Sequence, residues 1–238
     1  MHLDDLETGL LYKNPKPHVK SVHAYFPSVV VLPEGELLAL YTLGEAFEAT
    51  NLHVHVARSL DGGATWEEQG RLCPPTEDRL TSDFARVAVT ADGELVANIL
   101  RSDRTDHPDE GLSNPENMGF VPTELLISRS TDGGHHWSEP VGIVPPLTGC
   151  EFEMCSPITM LRDGRWLWPT SLWRDWQGRL SHDYQMCALV SNDRGHTWTE
   201  YQTVMHSPGN SVLYWESKII ELADDRMLAV AWAYDEAS

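Results

Sequence analysis

One short pattern occurs three times in this 238-residue chain and limits the folds available to it. The pattern is Ser-x-Asp-x-Gly-x-(Thr/His)-Trp, and its copies begin at Ser59, Ser130 and Ser191. The aspartate can accept hydrogen bonds from nearby backbone amides, and glycine adopts a positive φ without steric cost. The tryptophan adds a large apolar surface beside the turn. A turn repeated at long intervals predicts a repeat architecture.

A second repeat lies upstream of these turns and consists of two apolar strands joined by a tight turn. Asp-Gly between β-rich segments is a strong hairpin signal. Gly35, Gly93 and Gly164 occupy this tight turn, and Asp225 replaces glycine in the fourth copy. The copies are SVVVLPEGELLALYT (28–42), RVAVTADGELVANIL (86–100), PITMLRDGRWLWPTS (157–171) and KIIELADDRMLAVAW (218–232). A third strand follows each of the first three copies (52–59, 124–130 and 184–191), and a fourth strand such as TWEEQGRL (65–72) follows the Ser-x-Asp pattern.

The three-fold pattern resembles the Asp-box, or BNR repeat, of the sialidase superfamily, from about Ser21 to the end of the chain. The resemblance implies an all-β fold, a β-propeller of four-stranded antiparallel blades. It also implies a carbohydrate ligand or substrate. The Asp-box residues themselves are expected to be structural.

The repeats predict a single domain over residues 1–238, with blades at about 26–74, 84–146, 155–208 and 216–238. The fourth blade stops after its second strand. Three and a half blades cannot close a ring, and closure protects the sheet edges of a propeller. We therefore expect the N-terminal part of a longer propeller, of six blades if it follows sialidases. Such a chain is expected to self-associate through its open blade edges.

The composition excludes several classes of partner. The formal charge is −19, and binding to nucleic acid or to an anionic membrane needs clustered Lys and Arg. Residues 1–7 are acidic and lack the apolar run of a secretory signal, so a cytoplasmic location is expected. The cysteines form no Cys-x-x-Cys pair and are predicted to be reduced thiols (Cys73, Cys150, Cys155 and Cys187). No cofactor or metal site is predicted, although His53 and His55 share a strand face.

Strand order predicts which end of the blades carries the site. In an up-and-down sheet, the tight turns and the Ser-x-Asp turns lie at one end. The loops between second and third strands lie at the other end, at 43–51, 101–123 and 172–183. Long irregular loops on a rigid scaffold commonly carry function. The site is therefore expected at the loop end.

Counting nine residues back from each tight turn gives the start of each innermost strand, near the expected axis: Phe26, Phe84, Cys155 and Glu216. By the resemblance, Glu216 matches a sialidase glutamate that polarises a nucleophilic tyrosine, which would lie beyond Ser238. Phe26 and Trp232 stand where sialidases have arginines that bind the sialic acid carboxylate. An aromatic residue does not replace a bidentate arginine, so the expected sugar is not ordinary sialic acid. Phe26 and Trp232 instead suit stacking on a sugar face.

Two glutamates are candidates for proton transfer. Glu48 stands at or beside the place of the sialidase general acid, and burial near the axis would raise its pKa. A solvated loop glutamate is an equally good interpretation of Glu48. Glu153 precedes the third blade near the axis and is the second choice.

Several cations and aromatics are candidate sugar contacts. Arg86 and Lys218 lie two residues along from Phe84 and Glu216, and each either binds a glycan or forms a structural ion pair. Arg101 belongs to the second loop, where Arg104 and His107 are further candidates. Trp173 and Arg174 in the third loop suit a stacking platform with a polar handle.

The leading functional prediction is a glycoside hydrolase of the sialidase superfamily, with Glu48 as acid/base and Glu216 as the nucleophile's partner. One alternative is a polysaccharide lyase that acts on uronate-containing glycans. The other is a carbohydrate-binding propeller without turnover.

Overall fold

The computed structural model describes residues 9–236, a range that contains antiparallel sheets and no helix. Consequently, no helix in this range could cross a membrane. The acidic start considered above, residues 1–7, and Ser238 lie outside the described residues. The first sheet contains β1 (His23–Val31), β2 (Leu37–Gly44), β3 (His53–Ser59) and β4 (Glu67–Arg71). The second contains β5 (Thr81–Val89), β6 (Leu95–Asp103), β7 (Thr123–Ser130) and β8 (Val141–Gly142).

The third and fourth sheets depart from this pattern. The innermost strand of the third sheet is split into two pieces that pair with opposite ends of the same neighbour. This sheet contains β9 (Glu151–Glu153), β10 (Thr159–Met160), β11 (Trp166–Trp173), β12 (Tyr184–Ser191) and β13 (Glu200–Ser207). The fourth sheet contains only β14 (Val212–Glu221) and β15 (Met227–Asp235). The prediction of an all-β chain with four-stranded antiparallel sheets is confirmed.

The fourth strands are shorter than the sequence predicts. β4 begins at Glu67 rather than Thr65, because Thr65 hydrogen-bonds within the preceding turn. β8 has only two residues, and Pro140 and Pro145 on either side of it have no N–H for a sheet hydrogen bond. The outer strands of the first and second sheets are therefore short.

The tight turns have the left-handed backbone that the sequence predicts. Gly35, Gly93 and Gly164 have φ of 87°, 87° and 91°. Asp225 has φ of 64°, a region that Asp tolerates better than most residues. Leu37 pairs with Ser59 and Leu43 with His53, so the tight turns and the Ser-x-Asp turns share one end of the sheets. The three long loops lie at the other end.

The three Ser-x-Asp turns (residues 59–66, 130–137 and 191–198) share one set of hydrogen bonds. In each, the serine hydroxyl donates to the aspartate Oδ1 at 2.8 Å and accepts from the glycine amide four residues on. The same Oδ1 accepts the amide of the Thr or His four residues after it, at 2.8–3.0 Å. These hydrogen bonds lie within each turn and are the same in all three turns, so the sequence repeat is also a structural repeat.

Apolar clusters fill the spaces between successive sheets. Leu38, Leu40 and Val56 pack against Ala97 and Ile99 between the first and second sheets. A larger cluster joins the second and third sheets and contains Trp168 and Trp198. A smaller cluster joins the third and fourth sheets. This face-to-face stacking brings residues of the innermost strands together at the loop end.

Candidate functional site

A cleft of about 200 Å³ opens where the innermost strands and the long loops meet. Aromatic side chains form much of its wall, and its charged side chains are three glutamates and one arginine. The lining residues are Phe26, Phe47, Glu48, Phe84, Arg86, Leu100, Leu112, Phe120, Glu153, Met154, Cys155, Trp173, Trp215 and Glu216. The structure thus brings together six of the residues proposed from the sequence as catalytic or sugar-binding: Phe26, Glu48, Arg86, Glu153, Trp173 and Glu216.

Two of these residues lie on matching irregularities of the first and fourth sheets. Phe26 and Glu216 both have φ of 52°, although neither is glycine. Each sits at a β-bulge, the first between Tyr25 and Ser28 and the second between Trp215 and Lys218. Bulges redirect side chains and are common next to active sites. A left-handed backbone at a non-glycine residue carries strain that the surrounding structure must offset.

Glu153 is the most perturbed acid of the cleft. It ends β9, where the innermost strand of the third sheet breaks, and it is only 9% exposed. Its Oε1 accepts the Glu216 amide at 3.3 Å, while Oε2 is buried and has no hydrogen-bond partner. Burial raises the pKa of Glu153 to about 7. A carboxyl with this pKa is partly protonated at neutral pH and can donate a proton.

Arg86 is the cation of the cleft and is also buried. Its Nε donates to the Cys155 carbonyl at 2.7 Å, and its Nη1 donates to the Phe26 carbonyl at 2.9 Å. The guanidinium carbon lies 5.6 Å from the centre of the Phe26 ring. Burial lowers the pKa of Arg86, and the nearby Glu153 and Glu216 oppose that shift. Arg86 therefore ties three blades together at the floor of the cleft while contributing positive charge there.

Glu48 is held in the cleft by the second loop. The Leu112 amide donates to its Oε2 at 3.0 Å. A side chain at Gly111 would overlap this carboxylate and would require Glu48 to shift. The Glu48 carbonyl accepts from Arg104 at 3.1 Å, and Arg104 also donates to the Glu110 carbonyl. Arg104 is fully buried, so it acts as a clamp between the first and second loops.

The aromatic wall is built by residues from several strands and loops, and Trp173, expected in the third loop, lies at the end of β11. The Trp173 ring contacts Phe120 edge-on at 4.9 Å and lies 5.6 Å from the Trp215 ring. Trp173 is 7% exposed, and its Nε1 is buried without a hydrogen-bond partner. Aromatic faces of this kind suit stacking on the apolar face of a sugar.

Two of the proposed arginines lie outside the cleft. Arg101 donates to both carboxylate oxygens of Asp83, at 2.8 and 3.0 Å, and both residues are buried. Arg174 donates to the Asn117 carbonyl at 2.8 Å and to Glu236 at 2.9 Å. Both arginines are engaged in contacts within the protein, so they support the loops around the cleft.

Lys218 and Trp232 also lie outside the cleft lining. Lys218 is exposed on β14, two residues beyond Glu216. Trp232 on β15 pairs in register with Trp215 but is 65% exposed. On this hairpin, Trp215 and Glu216 line the cleft, whereas Lys218 and Trp232 do not.

The loops supply cleft residues that the sequence does not indicate. Phe47, Leu112 and Phe120 come from irregular segments, where counting along a repeat gives no position. The sequence does indicate Glu153, by its position just before the third blade. Its burial, however, depends on tertiary packing.

The histidines and cysteines form no metal centre in the part of the chain that the structure describes. His55 Nδ1 lies 2.8 Å from Glu68 Oε1, and burial lowers the pKa of His53 to about 4. The four cysteines are not paired in disulfides.

No family model and no curated protein matches this sequence. Solved structures with similar folds do exist. A protein of unknown function from Dyadobacter fermentans matches with 19% identity and a TM-score of 0.70, over 95% of this chain and 65% of that one. Penicillium chrysogenum α-L-arabinanase, complexed with arabinobiose, matches with 19% identity and a TM-score of 0.62, over 88% of this chain and 57% of that one. The intramolecular trans-sialidase of Ruminococcus gnavus matches with 12% identity and a TM-score of 0.61, over 90% of this chain and 66% of that one.

At these identities the likeness shows the fold alone. The chain shares the fold of the sialidase-like propeller enzymes, in which arabinanases and sialidases both occur. It spans about 57–66% of the length of these three structures.

Proposed function

We propose that the cleft binds a glycan and that the protein hydrolyses a glycosidic bond to a sugar other than ordinary sialic acid. The observation that carries this proposal is the pair Glu153 and Glu216 in one aromatic-walled cleft. Glu153 is buried with a raised pKa, and Glu216 is exposed on a bulge beside it. Two carboxyl groups in different environments are what glycoside hydrolysis needs.

The two carboxyls take different roles in this proposal. Glu153 donates a proton to the leaving-group oxygen, because its raised pKa keeps a proton available near neutral pH. Glu216 supplies the carboxylate that stabilises positive charge on the sugar ring. Glu48, the first choice from the sequence, remains a second acid/base candidate in the same cleft.

The charge of the cleft favours a neutral sugar. Besides the proton donor Glu153, the cleft has two further glutamates, Glu48 and Glu216, and one guanidinium; Arg86 already donates to two backbone carbonyls. An anionic sugar would meet carboxylates at short range in a partly dry site, where like charges repel strongly. This argues against sialic acid and against the uronates that a lyase requires. The arabinobiose bound by the Penicillium arabinanase is a neutral sugar and supports the same direction.

The test is a panel of chromogenic glycosides assayed with the full-length protein. The panel includes an α-L-arabinofuranoside, a β-glucuronide and an α-sialoside. We expect turnover of a neutral glycoside, and a loss of about 10²–10⁴-fold in kcat for Glu153→Gln and for Glu216→Gln. Glu151→Gln is the matched control, since Glu151 is half-buried, also has its pKa raised by burial to about 7, and accepts a hydrogen bond from Thr123 outside the cleft. Its activity should stay close to that of the unmodified protein.

Other outcomes point to other functions. An unsaturated, ultraviolet-absorbing product from a uronate polymer would identify a lyase. Saturable glycan binding without any product would identify a binding propeller. Efficient cleavage of the sialoside would contradict the argument from cleft charge and from Phe26 and Trp232.

A further inference from the structure

Two aromatic side chains from different loops lie against each other at the loop end of the sheets. His107 comes from the loop between β6 and β7, and Trp176 comes from the loop between β11 and β12. The centres of their rings are 3.9 Å apart, and the ring planes are inclined by 32°. Both residues are half-buried, and Trp176 also packs against the apolar cluster that joins the second and third sheets. We name this pair the rim platform.

The rim platform follows directly on the wall of the cleft. Trp173 lines the cleft and is three residues before Trp176, and three residues of chain span at most about 11 Å. Phe120 lines the same cleft and forms a β-bridge with Asp175, the neighbour of Trp176 in the chain. A glycan that extends from the cleft along this wall would therefore reach the rim platform.

Hydrogen bonds hold the backbone of both halves of the rim platform in place. The side chains of Asn114 and Asn117 donate to the Trp176 carbonyl, at 3.0 and 3.3 Å. The His107 amide donates at 3.0 Å to the carbonyl of Arg104, whose side chain is fully buried. A surface that is ordered before its ligand arrives loses less conformational entropy on binding.

The rim platform has polar atoms that are available to a ligand. Within residues 9–236, the ring nitrogens of His107 and Trp176 have no hydrogen-bond partner. Three carboxyl side chains close to His107 in the sequence are exposed, those of Asp106, Asp109 and Glu110, so an anionic ligand is disfavoured. A neutral sugar suits this surface, because its apolar face stacks on an aromatic ring and its hydroxyls accept hydrogen bonds from ring N–H groups.

We propose that the rim platform is a second sugar-binding subsite, which holds a neutral sugar unit of the same glycan whose reacting unit lies in the cleft. The role of this subsite rests on the proposed function and narrows it, since the substrate becomes an oligosaccharide and not a single sugar on a small leaving group. Both loops of the platform belong to sheets that pack against a further sheet on each face. The platform therefore lies within the stack of sheets and not at its end.

The test compares a trisaccharide with a methyl glycoside of the same sugar, because the methyl glycoside has nothing that could reach the platform. The probes are arabinotriose and methyl α-L-arabinofuranoside, or the matching pair of whichever neutral sugar the chromogenic panel selects. Trp176→Ala should lower kcat/KM for the trisaccharide by at least about 10-fold and change that for the methyl glycoside by less than about twofold. Trp176→Phe should restore part of the lost activity, and His107→Ala should act in the same direction as Trp176→Ala with a smaller loss.

Tyr201→Ala is the control, since Tyr201 is an aromatic residue on β13 that is 40% exposed and lies outside the cleft. It should leave both activities unchanged. Circular dichroism and melting temperature show whether Trp176→Ala folds; if it does not, His107→Ala and Trp176→Phe carry the same comparison.

An equal loss of activity on the two probes would overturn the subsite, because the rings would then only support the loops around the cleft. Unchanged activity of the platform variants on the trisaccharide would overturn it as well, and in both cases the proposed hydrolysis would stand. If no neutral glycoside is hydrolysed, the proposed hydrolysis fails, and calorimetric titration with arabinotriose decides the subsite. Weaker binding by Trp176→Ala than by the unmodified protein would support the subsite, whereas equal binding or none would overturn it.

Discussion

The carboxyl groups at the two ends of the sheets have opposite pKa shifts. At the turn end, Asp61 and Asp193 are exposed, and the Thr65 and Thr197 side chains are the main cause that lowers each pKa to about 2. At the loop end, burial raises the pKa of Glu151 and of Glu153 to about 7. The same functional group is thus stabilised as an anion at one end and as a neutral acid at the other.

The difference separates structural from chemically useful carboxyls. The turn aspartates accept amides and hydroxyls, so their charge is fully compensated and they fix the chain direction. Glu153 has one buried oxygen without a partner and faces a cleft. Glu151 shows that a pKa raised by burial does not by itself make a site, because Glu151 lies outside the cleft and its Oε2 accepts both the amide and the hydroxyl of Thr123. Glu153 is the chemically useful carboxyl because it is buried, has one oxygen without a hydrogen-bond partner and faces the cleft.

The largest expected effect on stability lies at the turn end. Trp198 is 2% exposed and packs edge-on against Trp168 at a ring distance of 5.7 Å. Trp198→Ala should lower the free energy of unfolding by about 3–5 kcal/mol, because it removes a large buried ring from the core. Urea denaturation measures this change.

The matched control is Trp66→Ala in the first turn. Trp66 also donates its Nε1 hydrogen to a turn glycine, but it is only half-buried. Trp66→Ala should lower the free energy of unfolding by clearly less than Trp198→Ala does. Equal costs for the two variants would mean that the turn hydrogen bond, and not packing between sheets, explains the tryptophan in the repeat.

The sequence predicts the fold far better than the site, because the signals for the fold act between residues that are close together in the sequence. Gly35, Gly93 and the Ser-x-Asp turns act over a few residues, so their geometry can be inferred without knowing the packing. The strands β4 and β8 are shorter than the pattern predicts, because Thr65 and the prolines around β8 compete with sheet pairing. The innermost strand of the third sheet also differs, since it is split into β9 and β10.

The repeat also gave positions near the axis, since counting from a fixed turn places Phe26 and Glu216. It did not show that Arg101, expected in the second loop, lies in β6 opposite Asp83, because strand pairing continues past the apolar segment that marks the repeat. It also could not rank Glu153 above Glu48, because burial depends on residues from several blades. Phe120 belongs to a loop whose path is set by its hydrogen bond to the Arg174 carbonyl.

The prediction of intermediate size concerns the pH dependence of stability. It directly tests the difference between the carboxyl groups at the two ends of the sheets. Glu151 and Glu153 keep their protons in the folded state up to about pH 7, whereas an ordinary glutamate loses its proton near 4.5. Between these values the folded state binds more protons, so their contribution to stability should fall as pH rises. The variant Glu151→Gln/Glu153→Gln should show a flatter melting temperature from pH 5 to pH 7. The turn aspartates act in the opposite sense, and their contribution should be lost as pH falls from about 3.8 towards 2. A double variant with the same slope as the unmodified protein would contradict the raised pKa values.

The smallest expected effect is that of Asp132→Ala. Asp132 accepts the amides of His135 and His136, and its other oxygen lies 2.6 Å from the His136 ring. Because the side chain is exposed, water replaces part of what is lost, and the cost should be on the order of 1 kcal/mol. Asp132→Asn keeps an acceptor at Oδ1 and should cost less. Glycan binding at the cleft should be unchanged in both variants, since the turn lies at the opposite end of β7 from the cleft loops. If Asp132→Ala instead abolished binding while the protein unfolded at a normal urea concentration, the turn end would be the functional face, and the contrast between the two ends would have to be reversed.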